Sequence, residues 1–417
     1  MDNIHHDSEI DHQDGHSPTL GKSAYRWIIL VVFSLMTLDT QILWLTFTPI
    51  TFEVATIYEV STNWILMLSM VFMIAYIPFN FVATSSIEKL GLRFGTGIGV
   101  ALTGLFAFLR GFFVTNFIWI MITQTLIAIG QPFVLNSFTK LSVNWFPEEE
   151  KTLATGLNTM TLLLGAILAF MLTPVLYTTI SLEGLLLTYG VLSLVLAVLY
   201  FVTIREKPNL PPNLYSIKDE KITVSKKESF KNRDLIMLFG LVLIGLGIFN
   251  AISTEIDILF NDPTNISAAG NIGGAMIIGG IIGAVILSTL SDKFHKRKIF
   301  LIIAMFVGTI LILFMYFFDS YVERLIEATI LGFFLVAALP VALTFAAEIT
   351  YPLPEEVSNG WMMWAGQISG IALILCVMFI PSLFVNYIII ASLFAIGFVI
   401  SLLINDVDKY KLNEKND

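Results

Sequence analysis

Charge is scarce in this chain of 417 residues: Asp, Glu, Lys and Arg together make up 13% of it, against about 25% in an ordinary globular domain. So little charge cannot cover a water-soluble fold, which excludes a cytosolic enzyme. So much apolar sequence equally excludes a disordered chain. Cysteine occurs once, as Cys376, which excludes a disulfide framework and a Cys-based zinc site. No basic stretch is long enough to hold nucleic acid, and the net charge of −9 says little about it. Walker, His-Glu-x-x-His and nucleophile-elbow patterns are all missing. Neither ATP hydrolysis nor enzymatic catalysis is therefore expected, and no catalytic residue, metal site or cofactor is assigned.

What is present is hydrocarbon. Apolar residues make up 56% of the chain, with 34 Phe against 12 Tyr and 7 Trp, and the mean hydropathy is +0.82. Phe-rich surfaces suit lipid. About 20 mainly apolar residues cross a hydrocarbon core about 30 Å thick. Twelve segments meet that length: 27–55, 63–86, 94–113, 117–139, 151–176, 182–203, 235–260, 267–290, 299–318, 325–348, 359–381 and 384–404. The expectation is an all-α membrane protein with twelve transmembrane helices, the longer ones tilted or projecting into water.

Met1 to Lys22 is polar and lacks the apolar run of a cleavable signal. His5, His6, His12 and His16 there are a conceivable metal set, but residues 1–25 read as a disordered tail. The basic residues set the topology. Lys22, Arg26, Lys89, Arg93, Lys140, Lys151, the run from Arg205 to Arg233, Lys293 to Lys298 and Lys409 to Lys415 fall on one face. Only Arg110 and Arg324 fall near the other. Both termini are thus expected in the cytoplasm, with the cell membrane as default address. The stretch 205–233 is the one long hydrophilic interruption and carries Pro208, Pro211 and Pro212. It divides a six-helix half, 26–204, from a second, 234–405, and 406–417 forms a second tail. Two such pseudo-repeat halves are the plan of a transporter.

The loop after helix 2 runs Ser86-Ile87-Glu88-Lys89-Leu90-Gly91-Leu92-Arg93, and the one after helix 8 runs Ser291-Asp292-Lys293-Phe294-His295-Lys296-Arg297-Lys298. Each places an acid at a helix end and bases after it, at equivalent positions in the two halves. The pair resembles the cytoplasmic motif of the major facilitator superfamily, with Glu88 where Asp is usual and His295 where Gly is usual. The resemblance implies gate charge pairs, Glu88 with Arg93 and Asp292 with Lys296 or Arg297. Plain positive-inside charge is the simpler alternative.

Three further stretches narrow the resemblance. Helix 1 runs from Arg26 through Trp44. Gln131 to Asn136 is followed by Asn144-Trp145-Phe146-Pro147-Glu148. Phe345 to Pro352, with Glu348-Ile349-Thr350-Tyr351-Pro352, leads to Ser358-Asn359-Gly360 and Gln367 to Gly370. Together they resemble the feline leukaemia virus subgroup C receptor family of choline, ethanolamine and haem transporters. That family implies a central aromatic cage. A helix 1 Trp and a helix 7 Tyr flank a quaternary ammonium, helped by Gln on helices 4 and 11. By position these become Trp44, Gln131 and Gln367, while the Tyr falls on Asn250. Trp364, one turn before Gln367, is the replacement wall. Haem has no support, because no His lies in a span.

Ionisable residues inside spans are costly and usually face a cavity or a partner. Asp39 lies mid-helix 1, about 140° around the helix from Trp44, so it either lines the cavity, where it carries substrate charge or a coupling proton, or bonds a neighbouring helix. Glu255 and Asp257 carry substrate charge or a coupling proton, or else sit near the outer surface where solvation is cheap. Glu348 ends helix 10, and Arg110 is placed where it reaches the headgroups. No Lys or Arg is placed centrally, which points to a neutral or cationic guest. An ammonium over an indole gains about 0.5–2 kcal/mol. Helix 5 has Gly156 and Gly165 but no Gly-Pro pair, unlike drug/proton antiporters. Helix 8 has Gly270, Gly273, Gly274, Gly279, Gly280 and Gly283, read as packing positions.

The expected function is alternating-access transport of a small organic cation or amine, choline- or ethanolamine-like. The alternatives are proton-coupled symport of another metabolite and, further off, a non-transporting receptor. The expected partners are the small-molecule substrate and the bilayer, without nucleic acid, with the chain acting as a monomer.

Overall fold

The computed structural model describes residues 24–208, 233–260, 265–294, 296–318, 320–350, 355–380 and 382–405. The tails, most of the 205–233 linker and His295 lie outside the described residues. Ten helical stretches are long and apolar enough to cross a membrane. Two of them are double. Thr62–Phe112 has 51 residues, about 75 Å of helix at 1.5 Å per residue, more than twice a hydrocarbon core. It is broken at Gly91, where φ is 83°. Glu148–Thr203 is broken at Ile180 and Ser181, the latter at φ 64°. Dividing each gives twelve spans among the described residues. They are α1 (Tyr25–Leu45), α2 (62–90), α3 (92–112), α4 (Phe117–Leu135), α5 (148–179), α6 (182–203), α7 (Arg233–Thr254), α8 (Ser267–Phe294), α9 (Arg297–Met315), α10 (Tyr321–Thr350), α11 (Glu355–Phe379) and α12 (Leu383–Leu403).

Gly91 is required by its neighbours. Its positive φ suits a residue without Cβ, and a Cβ there would stand 2.6 Å from the Glu206 carboxyl carbon. Beyond α1, Pro49 sits in a single 3₁₀ turn, Thr48–Ile50, that leads into the short helix Thr51–Tyr58. Proline suits such a start because it lacks the N–H that would go unpaired.

The ends of each half meet on one side. Tyr25 Oη donates to Thr203 O at 2.7 Å, and Asn405 N–H donates to Asp234 Oδ1 at 3.2 Å. This is the linker side, and the other is the far side. Phe81, Val202 and Phe317 are among many large apolar side chains left open on the outer surface, as lipid contact demands. A continuous apolar core runs through both halves, from Leu43 and Phe72 to Ile248 and Phe345.

The α8 glycines do pack. A Cβ on Gly283 or Gly279 would strike the carbonyls of Phe333 and Thr329 on α10, and one on Gly270 would strike Phe170 O on α5. Backbones approach closely only through such residues. The α5–α8 contact joins the halves, as does Met73 of α2, whose sulfur lies 3.0 Å from where a Gly370 Cβ would be.

Candidate functional site

Hydrogen bonds between the halves stand towards the far side. Asp257, just past the end of α7, accepts from Phe52 N–H at 3.1 Å, at the start of the helix Thr51–Tyr58. A carboxylate there answers an orphan helical N–H and the positive end of the helix dipole. Asn63 Nδ2 donates to Met378 O at 3.1 Å. Deeper, Trp364 Nε1 donates to Ile77 O at 3.4 Å.

Of the residues expected to hold substrate, Trp364 alone is shown bonding across this seam. Trp44 is 8% exposed, and its indole N–H has no partner among the described residues. Its carbonyl accepts from Ser69 Oγ at 3.2 Å, which ties α1 to α2. Gln131 of α4 is buried beside Pro132. Asn250 is buried and donates to Gly366 O at 3.4 Å, directly before Gln367. Gln367 and Trp364 are half-buried. Asn250 and the Gln367 segment are therefore brought together by the α7–α11 packing. Trp364 faces the α2 backbone through its indole N–H. The apolar cavity between α5, α7 and α10, lined by residues such as Leu163, Phe249 and Leu339, includes none of these five side chains.

Asp39 is fully buried and accepts from Ser193 Oγ of α6 at 2.8 Å. Of its two readings, the bond to a neighbouring helix is the one the structure adopts. Arg110 corrects its expectation outright. It does not reach headgroups but is wholly buried, donates to Gln124 Oε1, and lies 5.3 Å over the Phe47 ring. Gln124 in turn donates to Leu43 O at 3.1 Å and Leu68 O at 3.2 Å. Arg110 and Asp39 attract one another across the interior of the first half.

The solvated reading of Glu255 and Asp257 is also corrected. Both are buried, Glu255 completely. The chain after α7 turns through Ile256–Phe260 and packs against the turn Thr48–Ile50 and the helix Thr51–Tyr58. Glu255 carries both carboxyl oxygens without a hydrogen-bond partner among the described residues.

The duplicated loop motifs differ: among the described residues the first is held by hydrogen bonds and the second by ion pairs, each within its own half. Glu88 is exposed and stands apart from Arg93. The Gly91 break turns the chain between them, and Arg93 N–H donates instead to Glu206 Oε2 at 2.9 Å. The Arg93 guanidinium donates to Phe201 O at 3.0 Å. The expected Glu88–Arg93 pair does not form: Glu206, just past α6, takes the backbone N–H of Arg93, and the guanidinium takes a carbonyl. In the second half Arg297 pairs with Asp292 and with Glu348 of α10 at 3.0 Å, while Lys296 is exposed. Arg26 pairs with Glu150 at 3.0 Å, joining α1 to α5. Glu206 and Glu150 went unread because their partners lie more than a hundred residues away. A sequence signal existed only for Glu348, an acid at the end of a span.

The family model of the Major Facilitator Superfamily matches residues 29–373. An uncharacterized MFS-type transporter of Caenorhabditis elegans, C09D4.1, is 29% identical over 374 residues. These are 84% of this chain but 63% of that protein, so the chain spans less than two thirds of this relative's length. The choline/ethanolamine transporter FLVCR1 of Felis catus is 29% identical over 378 residues, 85% of this chain and 68% of that one. The choline/ethanolamine transporter FLVCR2 of Homo sapiens is 27% identical over 371 residues, 84% and 70% of the two chains. Among solved structures, a bacterial homologue of the human lysosomal transporter Spinster, inward-facing and unoccupied, superposes with TM-score 0.71. It has 15% identity and covers 92% of this chain and 97% of its own. That likeness bears on the fold alone.

Proposed function

The chain belongs to the Major Facilitator Superfamily, and from this premise we propose that it carries a small organic cation or amine, of the choline or ethanolamine kind, by alternating access. It is a multi-pass membrane transporter related to choline/ethanolamine transporters. The finer assignments are proposals. The halves 26–204 and 234–405 rock about a site between them. The linker side, with both termini, faces the cytoplasm, and the membrane is that of the cell.

One observation carries the substrate class. The side chains Trp44, Gln131, Asn250, Trp364 and Gln367 combine indole faces with amide groups and include no Lys or Arg. Arg26 is paired with Glu150, and Arg297 with Asp292 and Glu348. None of the five side chains offers an anionic guest a counter-charge. An ammonium would find π-faces and carbonyl oxygens of the amides. Asn250 removes an aromatic wall expected on helix 7, which favours a smaller or more polar cation than a fully caged quaternary ammonium.

The test is a thermal-shift series on purified protein against ethanolamine, choline, amino acids and carboxylates, with Trp44→Ala alongside. A ligand bound only by the folded state at about a hundredfold its Kd adds about 2.7 kcal/mol. Amines should raise the Tm of the wild type and not of Trp44→Ala. Stabilisation by carboxylates alone would overturn the reading.

A further inference from the structure

The apolar cavity between α5, α7 and α10 is walled wholly by hydrocarbon side chains, glycine and one thioether. α7 supplies Gly245, Leu246 and Phe249, α10 supplies Leu339 and Ala342, and Leu163 of α5 closes it from the first half. Its volume is about 70 Å³. Water finds no hydrogen-bond partner on such a wall, whereas an apolar guest gains by burial there.

Glycine makes the space. On α8, glycines bring backbones together, since a Cβ on Gly279 or Gly283 would strike a carbonyl of α10. Gly245 differs. A Cβ there would meet Met305 Cε at 3.5 Å, an ordinary contact, and no other neighbouring side chain or helix among the described residues within 4 Å. No close approach of helices requires glycine at this position, and glycine is a poorer helix former than alanine. What its missing side chain provides is room.

The cavity adjoins residues assigned to the substrate. Leu246 and Asn250 are four positions apart on α7 and share one face of it. Both meet the same residue of α11: Leu246 packs on Gly366, and Asn250 donates to Gly366 O at 3.4 Å. Gln367 follows directly, and Phe249, which precedes Asn250, lines the cavity itself. A guest held by its polar end at Asn250 thus has a hydrocarbon wall within about one helical turn, 5.4 Å.

We propose that this cavity receives a short hydrocarbon chain carried by the transported amine. The substrate class is then a small ammonium with an apolar tail of a few carbons, its head among indoles and amides and its tail against Leu246, Phe249 and Leu339. A cavity of about 150 Å³ admits benzene, so the smaller space here sets a short limit on the tail. This inference rests on the organic-cation reading of the neighbouring site.

The experiment uses the full-length detergent-purified wild type, Gly245→Leu and Gly245→Ala. Calorimetric titration gives Kd for the primary n-alkylammonium series from methyl to hexyl. Each buried methylene strengthens binding about fourfold, so butylammonium should bind the wild type about sixtyfold more tightly than methylammonium, with little gain beyond. Gly245→Leu fills the cavity and should bring that ratio below about fivefold, with Gly245→Ala between the two. Should Gly245→Leu fail to fold, Gly245→Ala is read alone, with the ratio lowered about fourfold. A ratio near one in the wild type overturns the proposal. So does a rise with chain length that the variants keep, which is what partition into detergent would give. The n-alkyl carboxylates from acetate to hexanoate are titrated on the same preparations. A chain-length gain confined to carboxylates and lost in the variants would overturn the organic-cation reading and leave the chain cavity standing. Binding of choline and ethanolamine with a flat alkylammonium series would do the reverse, and absence of binding by every compound would overturn both.

Discussion

A guanidinium buried among apolar helices persists only if neighbours answer it, and Arg110 is answered from three directions. Gln124 accepts its hydrogen bond, Phe47 presents a ring face, and Asp39 supplies opposite charge, while the Arg110 Nε and Nη2 have no hydrogen-bond partner among the described residues. The cluster joins α1, α2, α3, α4 and α6, because Gln124 also bonds the backbones of Leu43 and Leu68 and Asp39 holds Ser193. Removing one charge strands the other, at a cost of about 3–5 kcal/mol. Arg110→Met should therefore lower Tm sharply. The double variant Asp39→Asn/Arg110→Met should recover a measurable part of the loss, since no bare charge remains. If the double variant were as unstable as the sum of the single ones, the two groups would not be coupled. Glu255 differs in kind, since nothing among the described residues around it answers its charge.

The helices differ in how closely they are made to approach. α8 meets α10 across Gly279 and Gly283, where added carbon would collide with backbone carbonyls that cannot rotate aside. Gly283→Leu should force the two helices apart and reduce the yield of folded, monodisperse protein severely. Gly156 on α5 is the opposite case, since a Cβ added there would meet nothing within 4 Å. Gly156→Ala should be neutral or stabilising by up to about 1 kcal/mol, from helix propensity alone. Size-exclusion profiles and Tm values of the two variants test the distinction. Equal tolerance at both positions would mean that the α8–α10 approach is looser than these contacts require.

At the scale of the whole molecule, the far side is held by few polar contacts. Asp257 to Phe52 and Asn63 to Met378 are single hydrogen bonds, each worth about 1 kcal/mol net. That small value suits a gate, because alternating access needs closure that reverses. Asp257→Ala should shift the equilibrium towards far-side opening by roughly fivefold. The measurement is labelling of Thr51→Cys by an impermeant thiol reagent in a Cys376→Ser background. Unchanged labelling would show that closure is carried by the apolar contacts alone, Phe170 against Gly270 and Met73 against Gly370.

The twelve spans were legible because crossing a bilayer is a property of one segment at a time. Length and apolar content decide it locally, and ten of the twelve expected segments agree with the helices to within about one turn, whereas 27–55 and 235–260 run on past the ends of α1 at Leu45 and α7 at Thr254 into short separate helices. Family resemblance was legible for a similar reason, since short stretches such as Trp145-Phe146-Pro147 carry it in contiguous residues. What each ionisable side chain does was decided only in three dimensions. Glu88 and Arg93 are five positions apart, yet one turn at Gly91 parts them and brings Glu206 in. Arg110 read as a residue near a membrane face, and Glu255 as that or as a charge within the span; helix packing buried both. Hydrophobicity assigns a segment to the membrane, but the cost of a buried charge depends on partners that other segments bring. Those partners follow from how the helices pack against one another, and no single segment contains that information.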